Sequence, residues 1–447
     1  MSDNQATRVS NIRAFVLQSS DGKNSVDLSP GIVELRYYEN ILSNSMSMST
    51  TVIDTGFTDS SIGNNGIVDG LPIRGGERAY IILEDNQVQP NKLEFKTQKN
   101  NSLYVNRVRD IDPGTQKDLY NIDFSPREYF ANEQSRVVKR YEGNISDHVK
   151  SILTESLSGG KGLLTEKNVK VDDTLIDYNF IGNDRKPFYV CTWLASKSVP
   201  KSVGESDGAA GYLFYENYDG YNFRSIDALF DQKYKKKYIY NNTEAKPGEY
   251  DAKVLSYNIE RDIDLGNNLT IGTYANRSIF FDFFAMDYKV REYSVDENQK
   301  DKIVNGGLDE LLSVSEEFRK PVSRLMNHVL DIGTLPKGKN LDEQLKNWKN
   351  SPFSPIYDAP KTMVQSIMRY NQMFLIKINV VIPGDFSLRA GDLVHCDFPG
   401  LTVEKNATYN KKSGGIYMIA SLCHRITPRE TFTSMTLVRD SFGRKPF

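Results

Sequence analysis

Leu388-Arg-Ala-Gly-Asp392 leads into the strand-like run Leu393-Val-His-Cys396, and 391 − 76 = 315 residues earlier Ile73-Arg-Gly-Gly-Glu77 leads into Arg78-Ala-Tyr-Ile-Ile-Leu83. Downstream of each, Leu103-Tyr-Val105 and Ile416-Tyr-Met418 follow at a separation of 417 − 104 = 313. Two similar offsets in the same order are what a duplicated β region produces when its second copy is split by an insertion. Convergence is the competing explanation, because an apolar-Arg-x-Gly-acidic turn ahead of a strand is common chemistry in any β protein.

Working outward from the first of these turns, the chain from about residue 12 to 130 is strand after strand. Gly31–Tyr38, Ser45–Ile53, Arg78–Leu83, Ser102–Val108 and Asp118–Phe124 alternate polar with apolar or form short apolar runs between turn clusters. Regularly spaced strands without intervening helices predict a small antiparallel barrel or sandwich. After Glu142 the texture changes. Ser146 is the expected N-cap of a helix with Val149, Ile152, Leu153 and Leu157 on one face, stopped at Gly159-Gly160. A second helix begins at Lys186-Pro-Phe188 and carries Cys191, Leu194 and Ala195. Tyr212–Ile226 reads as a hairpin turning at Asp219-Gly220. Strands resume at Lys253–Ile259. Leu308, Leu311, Leu312, Val314 and Phe318 form one helical pattern, and Met363, Val364, Ile367 and Met368 form another after Pro360. From Met373 to Ser441 the pattern is β again. The layout is a first β unit at 1–130, an α+β insertion at 131–250, a discontinuous second β unit at 251–293 and 371–447, and a mainly helical insertion at 294–370.

Composition agrees with a large, mainly β chain. At roughly 150 residues per domain, 447 residues suggest about three units, which the layout raises to four. Tyr (25) and Phe (22) far exceed Trp (2), and 31 Gly with 17 Pro supply punctuation for many short strands. The formal charge of −2 excludes a surface built throughout to grip nucleic acid, which needs a clear Lys/Arg excess. The N-terminus lacks the basic and apolar regions of a secretory signal, and no run reaches the roughly 20 apolar residues of a membrane span. Three cysteines imply no disulfide framework, so a reducing cytoplasm is the expected site of synthesis.

No constellation points to catalysis or to a cofactor. Gly333-Thr-Leu-Pro-Lys-Gly-Lys339-Asn340 approaches the phosphate-cradling loop pattern, but Asn340 stands where Mg²⁺ needs a hydroxyl and Pro336 removes a backbone donor. His395-Cys396 and Cys423-His424 offer zinc-like ligands. Neighbours on a strand point to opposite faces, so at most two would share a face where a closed zinc site needs four. His148 and His328 are expected on helices with no triad pattern. The aromatic hairpin Tyr212–Phe223 is either a stacking surface for sugars or bases or one face of a packed sheet. Lys233-Tyr-Lys-Lys-Lys-Tyr-Ile-Tyr240 reads as a lysine-protected sheet edge. No metal, cofactor or catalytic residue is assigned, and no enzymatic activity is expected.

Asn371-Gln-Met373, Pro383–Val394, Gly415–Ile419 and Thr433–Ser441, with Glu34–Ile41, Leu71–Glu77, Asp173-Thr174 and Gly211–Glu216 in the same order, give a chain that resembles baseplate hub subunits of contractile-tailed, T-even-type bacteriophages. The resemblance implies two tail-tube-like antiparallel β-barrels with two smaller inserted domains, assembled as a homotrimer. Six similar barrels would form a pseudo-sixfold ring adapting a sixfold tail tube to a threefold spike, with a lumen for tape measure and DNA. The implied partners are a second and third copy, the tail tube protein, a central spike protein, the tape measure protein and baseplate wedge proteins, with no membrane. The implied location is the virion tail baseplate, after assembly in the host cytoplasm. Because the sequence stops at Phe447, just after the second β unit, piercing or wall cleavage is expected of a separate partner. The competing readings are a tail-associated protein that binds or degrades surface glycan, supported by an exposed aromatic hairpin, and the hub of a phage-derived injection particle.

Overall fold

In the computed structural model, residues 9–56, 66–87, 89–96, 101–112, 117–157, 162–175, 177–201, 208–240, 249–260, 265–282, 286–294, 314–329, 359–399 and 413–441 are described. The protein is mainly β. The first unit contains β1 (Asn11–Gln18), β2 (Ser25–Asp27), β3 (Ile32–Asn40), β4 (Ser47–Asp54), β5 (Arg78–Glu84), β6 (Lys92–Phe95), β7 (Leu103–Asp112) and β8 (Asp118–Pro126). Alternation sets their faces. In β4, Met48, Thr50 and Val52 point inward while Ser49 and Thr51 point away.

The α+β insertion carries β9 (Arg140–Tyr141), β10 (Val169–Val171), β11 (Phe180–Ile181) and the hairpin β12 (Tyr212–Asn217) and β13 (Gly220–Ser225). Its helices Ile145–Thr154 and Pro187–Ala195 pack Val149, Ile152, Cys191 and Leu194 against Tyr212, Phe214, Tyr221 and Phe223 of the hairpin. Asn144 occupies the cap position of the first helix, not Ser146, because the chain turns at Gly143 with φ +113°; the Ser146 N–H donates to Thr174 Oγ1 at 3.0 Å. The expected stop at Gly159-Gly160 lies outside the described residues, and the helix ends at Thr154.

Next come β14 (Lys236–Tyr240), β15 (Ala252–Val254) and β16 (Ser256–Glu260), then a separate three-stranded sheet of β17 (Ala275–Asp282), β18 (Asp287–Ser294) and β19 (Arg324–Val329). The lysine-rich β14 is not an edge. It pairs in parallel with β21 (Leu393–Asp397) on one side and with the short β15 on the other, because Tyr238 and Ile239 carry it inward. His328 likewise sits on a strand, not a helix: β19 pairs in parallel with β17, and that tertiary partner sets its conformation. Among the described residues of the third stretch, helix is confined to Glu316–Arg319 and Ala359–Met373. Val364 and Met368 of the long helix cover Phe280 on one face of the β17 sheet; the other face leaves Phe281, Tyr288, Val290, Leu325 and Val329 exposed. The chain returns through β20 (Ile376–Pro383), β21, β22 (Gly415–Ile426) and β23 (Thr431–Arg439).

The two β units are fused into one 15-stranded sheet. Within it the strand order β3-β4-β8-β7-β5-β1 is repeated as β16-β20-β23-β22-β21-β14, and the strands of both sets follow the same chain order. The last member differs in direction: β1 is antiparallel to β5, whereas β14 is parallel to β21. One continuous apolar core underlies both sets, from Phe15 and Phe124 to Val380 and Leu437.

Candidate assembly interface

The turn that opens each copy is the same object in atomic detail. Gly76 (φ +87°) donates its N–H to Val105 O at 2.8 Å, and Val105 returns a bond to Glu77 O at 2.9 Å. Gly391 (φ +91°) donates to Ile419 O at 2.8 Å, and Ile419 returns one to Asp392 O at 2.9 Å. In each turn the acidic side chain accepts from the backbone N–H three residues earlier: Arg74 N to Glu77 at 2.8 Å and Arg389 N to Asp392 at 2.8 Å. The acidic residue of the motif thus caps the turn, and its glycine supplies the left-handed conformation.

The correspondence continues beyond the turns. A bulge displaces Asn106 in β7 and Ala420 in β22, which fixes the structural offset at 420 − 106 = 314, one residue from the Tyr104 to Tyr417 match read in the sequence. Ser49 Oγ lies 2.8 Å from Asp123 Oδ1 across β4 and β8, and at the equivalent pair Thr436 Oγ1 donates to Asn379 Oδ1 at 3.0 Å. Recurrence of turn, bulge and cross-strand pair in register favours duplication over convergence.

The equivalent glycines differ in surroundings, which gives a test. A Cβ at Gly76 meets nothing within 4 Å, whereas one at Gly391 overlaps the hydroxyl of buried Tyr215, with its Cζ 2.9 Å away. Gly76→Ala is expected to cost about 1 kcal/mol from backbone strain alone, and Gly391→Ala about 2–3 kcal/mol from strain plus overpacking. Urea unfolding of the two variants checks the difference; equal losses refute the packing argument.

The copies are joined by antiparallel pairing of β22 with β3, from Ser421 opposite Asn40 to Ile426 opposite Leu35, with Cys423 opposite Tyr38. An Arg425 to Glu34 ion pair crosses the seam. β22 is released by β21 after Met418 and by the Gly391–Asp392 turn at Ile419, and β3 takes over its edge from Ser421. In the first copy β7 is released by β5 after Tyr104 and by the Gly76–Glu77 turn at Val105. Past that point its outer edge has no strand partner among the described residues. β16, the counterpart of β3, pairs only with β20 among the described residues. Among the described residues the open stretches of β7 and β16 therefore correspond to the two sides of the internal seam.

Near β16 and β20 the face away from the core is lined by small uncharged polar groups, including Ser256, Asn258, Asn379, Ser434, Ser421 and Ser47, and elsewhere it carries ion pairs such as Arg109 with Asp123 and Arg36 with Glu34.

At the three-way junction of the units lies a buried polar cluster. Glu39 of β3 accepts hydrogen bonds from Tyr37 Oη at 2.7 Å, from the Tyr218 N–H of the β12–β13 turn at 2.8 Å and from the Ala390 N–H of the second copy at 2.7 Å. Arg389 donates to Asp219 at 3.1 Å and lies 4.7 Å from the Tyr218 ring centroid. A second cluster ties the insertion to the first copy: Lys167 pairs with Glu216 and, at 3.3 Å, with Glu128, while Glu216 Oε2 accepts from Met46 N and Ser45 Oγ, each at 3.1 Å. Sequence reasoning missed both clusters.

The residues singled out for chemistry do not converge. Cys396 is in the core, while His395 on the same strand lies 3.8 Å from Asp397. His424 is fully buried, its Nδ1 2.9 Å from Thr433 Oγ1 and its ring stacked on Tyr37; burial and nearby Arg389 push its pKa down to about 3. Cys423 is on the opposite face of β22, against β3 and away from β21. His148 bonds to Tyr178 O at 2.9 Å within the insertion core. Among the described residues no three His, Cys, Asp or Glu side chains gather as a metal site. The Gly333–Asn340 loop lies outside the described residues. The aromatic hairpin is packed on both sides: Tyr212, Phe214, Tyr215, Tyr221 and Phe223 are all buried, so it offers no exposed stacking face. Its turn is Tyr218-Asp219, one residue earlier than expected, because Gly220 with φ +129° is needed as the first residue of β13, opposite Asn217.

The same fold is found in phage tail proteins. The fold matches the tail protein from Neisseria meningitidis MC58 with a TM-score of 0.53 at 10% identity, covering 96% of each chain. It also matches the prophage MuSo2 tail protein from Shewanella oneidensis with a TM-score of 0.51 at 8% identity, over 96% of this chain and 98% of that one. Within that class, the resemblance of the sequence is to baseplate hub proteins. It is 20% identical over 308 residues to a probable baseplate hub protein of Vibrio phage KVP40, a match spanning 67% of this chain and 66% of that relative. No family model matches the chain.

Proposed function

We propose that the chain is a structural baseplate hub subunit of a contractile phage tail. Three copies contribute six tube-like units to a pseudo-sixfold ring that receives the sixfold tail tube on one side and the threefold central spike on the other. Tape measure and DNA pass through the lumen, which the face of the long sheet away from the core would line. The chain acts by binding and geometry, with no catalytic residue. It works in the virion baseplate beside tube, spike, tape measure and wedge proteins, after assembly in the host cytoplasm.

The observation that carries this reading is the repetition of one six-strand order, with the same glycine turn and the same bulge in β7 and β22, edge to edge in a single chain. A chain with two like units and complementary open ends forms a ring if the rotation closes, and a threefold ring of such chains has six like units. Light scattering is expected to give three times the 50.8 kDa chain mass, alone or with spike present, and particle images are expected to show six similar lobes. A monomer under all these conditions overturns the proposal.

A further inference from the structure

The internal seam fixes how one copy meets the next. On the hub reading, which this inference rests on, we infer that the open edge of β7 pairs antiparallel with the open edge of β16 of the neighbouring copy, in the register of the seam, with Arg109 opposite Glu260 and Asp110 opposite Ile259.

The register follows from two independent transfers. The turn and the bulge equate Asn106 with Ala420, so Arg109 and Asp110 occupy the places of Cys423 and His424. Cross-strand pairing equates β3 with β16 through β4 and β20: Tyr38 opposite Ser47, and Glu260 opposite Lys377, are equivalent, as are Tyr37 opposite Met48 and Ile259 opposite Ile378. Those steps agree with the β4–β8 and β20–β23 registers, in which Met48 meets Phe124 and Ile378 meets Leu437. Within the chain Cys423 faces Tyr38 and His424 faces Tyr37. Between chains the same contacts become Arg109 to Glu260 and Asp110 to Ile259. The first places an arginine across from a glutamate, the sign combination that facing residues favour; in the internal seam Arg425 reaches Glu34 diagonally, with Arg36 directly opposite it. Closure of this kind also covers the open stretches of β7 and β16, which otherwise template uncontrolled pairing. The contact is head to tail, so it builds a ring and leaves no two-fold dimer.

The test uses cysteines on different chains. Full-length Arg109→Cys and Glu260→Cys variants are mixed, allowed to assemble and oxidised. Facing residues on paired strands lie about 4.5–5.5 Å apart, within the reach of a disulfide. A band at twice the chain mass is expected from the mixture and from neither variant alone, with wild-type protein as the control for Cys191, Cys396 and Cys423. Arg109→Cys mixed with Ser256→Cys, four residues out of register and therefore about 13 Å away, is expected to give none. Assembly by light scattering without the Arg109 to Glu260 cross-link, or with the Ser256 cross-link instead, overturns the register and leaves the ring standing. Failure of the unoxidised variants and the wild-type chain to associate at all overturns the ring and the register together.

Discussion

Replacing Lys167 with methionine is expected to cost about 3–5 kcal/mol at neutral pH, the range for removing one partner from a buried ion pair. The side chains of Lys167, Glu128 and Glu216 are 2%, 1% and 0% exposed, so without the ammonium two carboxylates share a dry site. Glu216 already has its pKa raised, first by burial and then, against the pull of Lys167, by the charge of Glu128. Loss of Lys167 removes the main opposing influence, so Glu216 takes up a proton more readily still. The loss in stability should therefore shrink as pH falls. It should also be local. Glu216 holds Ser45 and Met46 of the β3–β4 connection, Thr165 donates to Glu128 at 2.9 Å, and the hairpin that carries Glu216 is packed on the insertion core. Trp193 packs on that core, so tryptophan fluorescence during urea unfolding reports it. Lys167→Met combined with Glu128→Gln and Glu216→Gln should recover much of the loss, because the repulsion is gone and the amide oxygen introduced by Glu216→Gln still accepts from Met46 N. A loss below about 1 kcal/mol for the single variant refutes the argument, that being the range of exposed ion pairs.

What can be read from residues alone follows the range of the forces involved. Strands β3, β4, β5, β7 and β8 are legible because alternation is local, and the duplicated turn is legible because its glycine and its acidic residue each do a local job. The register of the duplication read from the second motif is one residue out, since the matching bulges at Asn106 and Ala420 leave no compositional trace. β14 resembles an edge because three consecutive lysines outweigh Tyr238 and Ile239; its partner Val394–Asp397 arrives more than 150 residues later. Lys167, Glu128 and Glu216 look like ordinary surface charges in sequence, and nothing in their spacing announces that the fold brings them together. The seam between β22 and β3 joins residues almost 400 positions apart, which no local pattern encodes.

Glu39 gives the second large effect, and its sign is opposite to that of most carboxylates. Burial raises its pKa from 4.5 to about 7, overriding the pull of Arg389 and of its three hydrogen-bond donors. Between these values the native protein holds a proton that the unfolded chain has released, so native stability falls as pH rises from about 4.5 to about 7 and is level above. From pH 5 to pH 8 the contribution amounts to about 2.5 kcal/mol lost. Other buried groups titrate too: Glu216 and Asp227 are raised and His148 is lowered, each chiefly by burial, so the total pH curve is a sum. Glu39→Gln isolates one member of it. The amide must set its NH₂ against the N–H of Tyr218 or Ala390, a penalty of about 1–3 kcal/mol that does not depend on pH. Wild type should therefore exceed the variant most at pH 5, with the gap narrowing by about 2.5 kcal/mol on the way to pH 8. A gap constant across that range in urea titrations refutes the proton assignment. Glu39 binds the first copy, the Tyr218 turn of the insertion and the Ala390 turn of the second copy at once, so the burial that raises its pKa is created by the contact between the units.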